Sequence, residues 1–253
     1  MIELKKVVAG YNSKTVLSDI SLLVPKGKLI SVIGKNGSGK STLLKTVIGI
    51  VTAKCGEIII DNKLSAELSR QDTAKKISYL SQGRSVSDMT VEQMVLHGRF
   101  PHLSYPRRYS NKDREISNNA LRQMGIADIA DVSLAALSGG MRQKVYIAMA
   151  LAQDTDYILL DEPTTYLDIS NQVELMKILR SLADAGKGIV TVMHDLPLAF
   201  GFSDSIAVIK DGKIAVCDTP RNICNSGTIK DVFGIDLEYS ITENSYHYRY
   251  RVN

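Results

Sequence analysis

The sequence lacks several features that would assign it to a specialised class of proteins. It has no tryptophan and only three cysteines, and no apolar run approaches the roughly 18 residues that a membrane-spanning helix needs. Cys55, Cys217 and Cys224 are odd in number, and none belongs to a C-x-x-C pair. We therefore expect no membrane span, no disulfide framework and no cysteine-based zinc site, but reduced thiols in a cytosolic protein.

The charge balance excludes a further class. Lysine and arginine number 31 against 27 acidic residues, which gives a net charge of +4. This small, dispersed excess is too weak to imply nucleic acid, although it is compatible with docking near an anionic cytoplasmic leaflet. Met1–Lys6 alternates as a strand does, so we expect no signal peptide there. The chain is long enough to bury a sizeable core.

Short strands and turns dominate the N-terminal part. Ile20–Val24 and Lys28–Ile33 flank the turn Pro25-Lys26-Gly27, and Glu57–Ile60 runs into Asp61-Asn62. This spacing predicts hairpins in a small antiparallel sheet. From about Ser85 to Gln153 the pattern is mainly helical.

Two mainly apolar segments in the second half predict strands that are buried on both faces. They are Tyr157–Leu160 and Ile189–Met193, and a predicted helix from about Asn171 to Ala185 connects them into a βαβ unit. Ile206–Lys210, followed by Asp211-Gly212, predicts a hairpin.

The C-terminal segment Tyr246–Val252 alternates with period two. It is either a closing edge strand, which we favour, or a contact surface.

A complete phosphate-binding loop follows the apolar run Leu29–Ile33. It satisfies the pattern G-x-x-x-x-G-K-[ST] and consists of Gly34, Lys35, Asn36, Gly37, Ser38, Gly39, Lys40 and Ser41. The glycines let backbone N–H groups converge on phosphate oxygens, the lysine reaches the β- and γ-phosphates, and the serine can ligate magnesium. The alternative is a simple glycine-rich turn, but the position between a predicted strand and a predicted helix favours nucleotide binding.

A second glycine-led helix start lies downstream, at Ser138-Gly139-Gly140. A helix N-terminus carries unpaired N–H groups and a partial positive charge, so it binds anions readily. A simple kinase or small GTPase needs one such anion-binding site, which we call a cradle. This chain has two, the phosphate-binding loop and Ser138–Gly140, and we therefore expect one of them to bind the nucleotide of a neighbouring molecule.

Four polar side chains follow predicted strands. Asp161 and Glu162 end the strand at 157–160, where a magnesium anchor and a group that orients or deprotonates water are needed beside a phosphate-binding loop. Gln82 and His194 follow two other strands, within reach of magnesium, the attacking water or the γ-phosphate. Taken alone, the acids are equally explained as solvated strand caps, the glutamine as an exposed side chain and the histidine as a structural residue. The phosphate-binding loop favours the chemical interpretation.

Tyr11 is predicted in a loop ahead of the first strand pair. There it stacks an adenine ring or simply packs, and the residues alone favour packing.

The motifs occur in a fixed order along the chain: the phosphate loop, the glutamine, Leu-Ser-Gly-Gly, the acidic strand end and the histidine. This order resembles that of the ATP-binding subunit of ABC transporters, and the resemblance covers almost the whole chain. Gly98-Arg99-Phe100-Pro101-His102 is similar to a Gly-Arg-Tyr-Pro-His run of importers for ferric siderophores, haem and cobalamin, and we place it near the membrane subunit rather than as a mere helix end. Residues 161–169 and 194–196 are similar to the same group. Met141 departs from the usual glutamine or glutamate, and Val132–Ala136 lacks the usual arginine and acidic residue.

The resemblance implies an α/β fold, an ABC-type P-loop ATPase with a mostly parallel core sheet, an N-terminal antiparallel β subdomain and a helical subdomain. It implies a single ATPase domain over residues 1–253. The expected parts are the antiparallel sheet with the P-loop part of the core (1–84), the helical signature subdomain (85–153), the remainder of the core (154–220) and a C-terminal extension (221–253).

The resemblance also implies hydrolysis of ATP with Mg²⁺ in a homodimer, where each ATP contacts the P-loop of one subunit and Ser138–Gly140 of the other. Tyr11 would stack the adenine, Gln82 would sense the transmembrane partner, Asp168 would couple the two sites, and His194 would steady the γ-phosphate. The expected ATP site consists of Tyr11, Gly34, Lys35, Asn36, Gly37, Ser38, Gly39, Lys40, Ser41, Thr42, Ser138, Gly139, Gly140 and Asp168. The expected catalytic residues are Glu162, His194, Lys40 and Gln82, and the expected magnesium ligands are Ser41, Gln82 and Asp161.

The implied partners are transmembrane permease subunits and, indirectly, a substrate-binding protein, with the ATPase at the cytoplasmic face of the membrane. The expected cargo is a ferric siderophore or a related iron chelate, haem or cobalamin. The alternatives are an importer for another substrate, an exporter cassette, a cytosolic ABC ATPase that is not coupled to transport, and a nucleotide-gated module with negligible turnover.

Overall fold

The computed structural model describes residues 1–83, 88–242 and 245–251. In these ranges the strands are β1 (Ile2–Tyr11), β2 (Lys14–Val24), β3 (Leu29–Gly34), β4 (Ala53–Ile60), β5 (Lys63–Leu64), β6 (Ile77–Leu80), β7 (Tyr157–Asp161), β8 (Gly188–Val192), β9 (Ser205–Lys210), β10 (Lys213–Asp218), β11 (Leu237–Thr242) and β12 (Ser245–Tyr250). The α-helices are α1 (Lys40–Val47), α2 (Arg70–Lys76), α3 (Val91–His97), α4 (Asn111–Gln123), α5 (Gly139–Ala152), α6 (Ile169–Asp184), α7 (Leu196–Phe202), α8 (Pro220–Asn225) and α9 (Thr228–Phe233). None of the helices in these ranges combines the length and apolar character that crossing a bilayer requires.

A six-stranded, mostly parallel sheet forms the centre of the fold. Its strand order is β10-β9-β3-β8-β7-β6, and β10 is the antiparallel strand. Every residue of β3, β7 and β8 is buried, because elements cover both faces of the sheet. The predicted βαβ unit is confirmed, since α6 connects β7 to its parallel neighbour β8.

A four-stranded antiparallel sheet of order β2-β1-β4-β5 lies over α1 and one face of the central sheet. Ile2, Leu4 and Ile60 from this sheet share one apolar cluster with Leu43 of α1 and Val190 of β8. The expected hairpins at Asp61-Asn62 and Asp211-Gly212 are confirmed by the β4–β5 and β9–β10 pairings.

The hairpin expected around Pro25-Lys26-Gly27 is wrong. Ile20–Val24 lies in β2 and pairs with β1, whereas β3 pairs in parallel with β8 and β9 in the other sheet. The physical reason is burial. β2 alternates buried and exposed side chains over its second half, but β3 is apolar on both faces and needs a position inside the central sheet.

Helices α3, α4 and α5 bear out the mainly helical character expected for this part, although residues 84–87 at its beginning lie outside the described ranges. Gly98 caps α3, and a Cβ there would lie 2.2 Å from the carbonyl oxygen of Met149. Arg99 is buried and donates through Nε to Asp113 at 3.0 Å and through Nη1 to Ala152 O at 3.0 Å. This part of the Gly98–His102 run therefore packs α3 and α4 against the end of α5.

The edge strand expected at the C-terminal end is confirmed as β12. It pairs with β11 in a separate two-stranded sheet and does not join the central sheet. The strand next to it in sequence provides the nearer partner. Its Tyr248 ring lies 5.2 Å from that of Phe200 on α7, between ring centroids. Val252 lies outside the described residues, and the division of the chain into subdomains stays a prediction.

Asp61 ties the antiparallel sheet to the central sheet. Its carboxylate accepts hydrogen bonds from the Tyr157 hydroxyl at 2.6 Å, from Lys76 Nζ at 2.8 Å and from the N-terminal ammonium at 3.0 Å. Burial favours the neutral carboxyl, but these donors outweigh it and hold the pKa of Asp61 well below its usual value.

We expect Asp61→Asn to lower the free energy of unfolding by about 1–2 kcal/mol at pH 7. Because the folded-state pKa is depressed, the carboxylate makes its full contribution to the free energy of unfolding above its unfolded pKa of about 4, and this contribution declines as the pH falls below that value. Urea unfolding should therefore show a difference in the free energy of unfolding between wild type and variant that narrows as the pH is lowered from 5 to 3. The control is Asp19→Asn, at an exposed position. If wild type and Asp61→Asn differed in free energy of unfolding by the same amount at every pH, the stabilising role given to the Asp61 carboxylate would be wrong.

Candidate functional site

The carboxyl ends of four neighbouring parallel strands meet at one edge of the central sheet. β3, β8, β7 and β6 lie side by side. The phosphate-binding loop follows β3, His194 follows β8, Asp161 and Glu162 come at the end of β7, and Gln82 follows β6. Since ligands bind where such strand ends converge, this edge is the candidate site.

The phosphate-binding loop wraps closely around the start of α1. Gly39 caps this helix with a φ of 109°, and a Cβ there would lie 2.7 Å from the side chain of Leu17. Lys40 Nζ donates to the backbone carbonyls of Gly34 at 2.8 Å and Lys35 at 3.1 Å. Burial lowers the pKa of Lys40, and nearby carboxylates oppose this effect. The loop thus holds an ammonium group in place before any anion binds.

A pocket of about 340 Å³ opens at the loop. Its lining residues are Val16, Asn36, Gly37, Gly39, Lys40, Ser41, Thr42, Gln82, Glu162 and His194. The Ser38 hydroxyl is buried without a hydrogen-bond partner among the described residues. An orphaned hydroxyl and a buried ammonium in one glycine-rich loop fit an anionic, phosphate-bearing ligand.

The residues expected to bind magnesium supply the oxygen ligands that this ion prefers. Ser41 Oγ donates to Asp161 Oδ1 at 3.0 Å, and the Tyr79 hydroxyl lies 3.4 Å from Asp161 Oδ2. Burial raises the pKa of Asp161, although the hydrogen bond from Ser41 counteracts part of that effect. A buried carboxylate beside a hydroxyl suits a hard divalent cation, and Gln82, which lines the same pocket as Ser41, carries an amide oxygen as a further candidate ligand.

Glu162 lies between two hydrogen-bond donors. Gln82 Nε2 donates to Glu162 Oε2 at 2.6 Å, and His194 Nε2 lies 2.7 Å from Glu162 Oε1. Because an ionised carboxylate only accepts, a hydrogen bond between these two groups requires a hydrogen on His194 Nε2. The backbone of Glu162 has a φ of 52°, which is uncommon for a residue other than glycine and indicates local strain. The structure therefore brings the three predicted side chains together and fixes the direction of the carboxylate.

The second glycine-led cradle begins α5, away from the first. Ser138 caps the helix, and its hydroxyl accepts a hydrogen bond from the backbone N–H of Met141 at 3.3 Å. The hydroxyl proton thus stays available to an anion. Gly139 lines a different surface pocket, together with Ser81, Gly83 and Tyr166.

Two other predicted ATP ligands lie at element ends. Tyr11 is the last residue of β1 and not part of a loop as expected, because the strand continues to the tight turn at Asn12, whose φ is 49°. Its side chain is half-exposed. Asp168 is exposed and caps α6 by accepting from the backbone N–H of Asn171 at 2.8 Å.

The sequence analysis did not identify the two glutamines that bind the segment following Glu162. Gln143 of α5 and Gln172 of α6 donate their side-chain amides to backbone carbonyls of the segment Pro163–Leu167. Helical periodicity places these glutamines on their helices, but it gives no signal for contacts with an irregular segment.

Comparison with known proteins gives one consistent result. The family model described as ABC transporter matches residues 17–165. Among curated proteins, the chain is 41% identical over 231 residues to the iron(3+)-hydroxamate import ATP-binding protein FhuC of Bacillus subtilis, covering 90% of this chain and 86% of the relative. It is 37% identical over 241 residues to the petrobactin import ATP-binding protein FpuD of Bacillus anthracis, covering 94% and 88%.

Solved structures agree on the fold. A metal-chelate type ABC transporter in an inward-facing conformation superposes with a TM-score of 0.84 at 24% identity, covering 99% of this chain and 97% of the other. The dimeric ATP-binding cassette MJ0796 in a post-hydrolysis state with ADP and phosphate superposes with a TM-score of 0.77 at 29% identity, covering 87% and 99%. With the family model and the curated relatives in agreement, this chain belongs to the ABC transporter family, as an ABC-type ATPase.

Proposed function

We propose that this chain energises a membrane importer of ferric siderophores or related iron chelates, with haem and cobalamin as the nearest alternatives, by hydrolysing ATP with Mg²⁺. The observation that carries the catalytic part is the position of Glu162, held between Gln82 and His194 at the mouth of the P-loop pocket. The names of the curated relatives, a hydroxamate and a petrobactin import protein, support the cargo class.

In the proposed reaction, water attacks the γ-phosphate in line with the bond to the leaving oxygen. Lys40 and the loop amides stabilise the charge that develops on the phosphate oxygens. Ser41, Asp161 and the amide oxygen of Gln82 would hold Mg²⁺, and the bound ion would supply positive charge to the triphosphate. Glu162 orients or deprotonates the water, while His194 steadies the γ-phosphate. Each oxygen of Glu162 already accepts one hydrogen bond, and the lone pairs that remain on the carboxylate can accept another from the water.

The second cradle serves a second copy of the chain in this proposal. Ser138–Gly140 of one subunit completes the pocket around the ATP bound by the P-loop of the other, with the Ser138 hydroxyl donating to the γ-phosphate. Tyr11 stacks the adenine ring, which its half-exposed position at the end of β1 permits. Asp168 couples the two sites.

An apolar groove near the Gly98–His102 run is the proposed dock for the permease. It measures about 780 Å³ and is lined by Phe100, Tyr105, Arg70 and Arg107, among others. The Tyr105 side chain is 97% exposed, and the Arg107 guanidinium lies 4.5 Å from the centre of the Phe100 ring. Exposed aromatic rings beside two arginines fit an apolar cytoplasmic segment of the permease that carries an acidic residue. This assembly would place the ATPase at the cytoplasmic face of the membrane, served indirectly by a substrate-binding protein.

We expect the double variant Tyr105→Ala/Arg107→Glu to reduce recovery of the permease in affinity purification by about 10-fold or more, since it removes an aromatic anchor and reverses one charge. The rate of ATP hydrolysis by the isolated chain should stay within about twofold, because the groove and the P-loop pocket are separate. The control is Leu23→Ala, another exposed apolar side chain. Undiminished recovery of the permease would remove this groove from the interface.

The experiment that tests the proposed function is purification from native membranes combined with growth of a deletion strain on single iron sources. Recovery of a polytopic membrane protein and loss of growth on one iron chelate would support it. A soluble partner in place of the membrane protein, with normal growth on every iron source, would favour a cytosolic ATPase instead.

A further inference from the structure

The segment Pro163–Leu167 links Glu162 to the glycine-led start of α5 within one chain. It leaves Glu162 at one end and passes over the first turn of α5. The segment packs closely on these glycines. A Cβ added at Gly140 would lie 3.0 Å from the backbone oxygen of Tyr166, and a Cβ added at Gly139 would lie 3.8 Å from the Cβ of Tyr166. The two ends of the segment thus touch the two proposed ATP-contacting regions.

Side-chain amides from two helices hold this segment. Gln143 Nε2 of α5 donates to Pro163 O at 2.9 Å. Gln172 Nε2 of α6 donates to Leu167 O at 3.0 Å and to Thr164 O at 3.3 Å. Since Pro163 follows Glu162 directly, the amide of Gln143 joins α5 to the residue next to the candidate base.

The segment is too short and too constrained to absorb a displacement of α5. Its turns are closed by backbone hydrogen bonds from Thr165 N to Glu162 O at 3.3 Å and from Leu167 N to Thr164 O at 3.2 Å. Glu162 and Tyr166 have φ values of 52° and 70°. The Gln143 amide therefore gives α5 a direct hydrogen-bonded connection to the residue that follows Glu162.

We infer that Gln143 is a positioning residue that couples the Ser138–Gly140 cradle to Glu162 in the same subunit. When Ser138–Gly140 binds the ATP held by the P-loop of the partner, α5 takes a fixed position. The Gln143 amide then aligns Glu162 with the ATP held by the P-loop of its own subunit. The inference rests on the proposed function, because it takes Ser138–Gly140 as a contact to ATP and Glu162 as the catalytic base or water-positioning group.

The test uses Gln143→Met, which keeps the length of the side chain but removes the donor, and Gln143→Glu, which turns the donor into an acceptor facing Pro163 O. We expect both variants to lower kcat for ATP hydrolysis about 10-fold, a typical size for coupling between sites. The KM for ATP should stay within about twofold, because the P-loop is untouched, and the Hill coefficient for ATP should fall towards one. Both signatures distinguish coupling from a general loss of stability.

The matched control is Gln153→Leu at the other end of α5. Gln153 Nε2 donates to Ala74 O and Ile77 O, so the variant also loses backbone contacts but none to Pro163–Leu167. It should keep the wild-type Hill coefficient and a kcat within about twofold. Equal losses in the Gln143 and Gln153 variants, or unchanged kcat and Hill coefficient in both folded Gln143 variants, would overturn the inference.

If thermal melting shows that one Gln143 variant does not fold, the kcat and Hill coefficient of the other variant test the coupling. Glu162→Gln is measured in the same assay. Normal hydrolysis by Glu162→Gln would refute the role that the proposed function gives to Glu162, whereas an inactive Glu162→Gln beside fully cooperative Gln143 variants would refute the coupling alone.

Discussion

Replacing Glu162 by glutamine is expected to lower the steady-state rate of ATP hydrolysis by two to three orders of magnitude, about 3–4 kcal/mol of transition-state stabilisation. An amide cannot take a proton from the attacking water, and it presents a donor where the carboxylate accepts. ATP binding should persist, because Lys40 and the loop amides are unaltered. Steady-state phosphate release and equilibrium binding of ATP measure the two effects separately.

The fold should tolerate this substitution. The amide of Gln82 can rotate and His194 can change tautomer, so both partners can adapt to one amide oxygen and one amide nitrogen. The control is Glu174→Gln on the exposed face of α6, where the carboxylate pairs with Lys144 at 3.6 Å, and its rate should match that of the wild type. Normal turnover by Glu162→Gln would refute the role given to Glu162.

Replacing Lys40 by alanine is expected to weaken ATP binding and to lower turnover. Loss of a charge-assisted contact to the phosphates weakens binding about 10- to 100-fold, and loss of transition-state stabilisation lowers the rate by a further two to three orders of magnitude. Removal of the ammonium relieves the burial that lowers its pKa, but it also takes a donor from the carbonyls of Gly34 and Lys35. Because these effects oppose each other, we expect the stability of the ligand-free protein to change by no more than about 1 kcal/mol. Calorimetric titration with ATP and thermal melting of the ligand-free protein measure these effects.

Lys177→Ala on α6 is the matched control, since it removes the same charge from an exposed position. Its affinity for ATP should equal that of the wild type. A Lys40→Ala protein that binds ATP normally would show that the triphosphate does not lie along the loop.

The sequence was sufficient to predict the candidate pocket because its residues follow strands that had to be parallel neighbours. Apolar strands such as β7 and β8 are buried on both faces, and their carboxyl ends meet at one edge. Asp161, Glu162 and His194 could therefore be placed together without knowledge of distant contacts. The two hairpins with Asp-Asn and Asp-Gly turns were equally local and are confirmed.

The remaining features depend on contacts between distant parts of the chain. The turn Pro25-Lys26-Gly27 has the spacing of a hairpin, but burial of β3 places its two strands in different sheets. The alternation of β12 fits an edge strand of any sheet, and its partner is the preceding strand. The Gln143 contact to Pro163 O joins residues whose proximity follows only from the tertiary fold.

Sedimentation of Glu162→Gln in the presence of MgATP shows directly whether two copies of the chain share each ATP. We expect a dimer that holds two ATP molecules, and a monomer when Gly140→Asp, which puts a negative charge at the start of α5, is added. A protein that binds ATP but stays monomeric, alone and with its membrane partner, would exclude a shared ATP site.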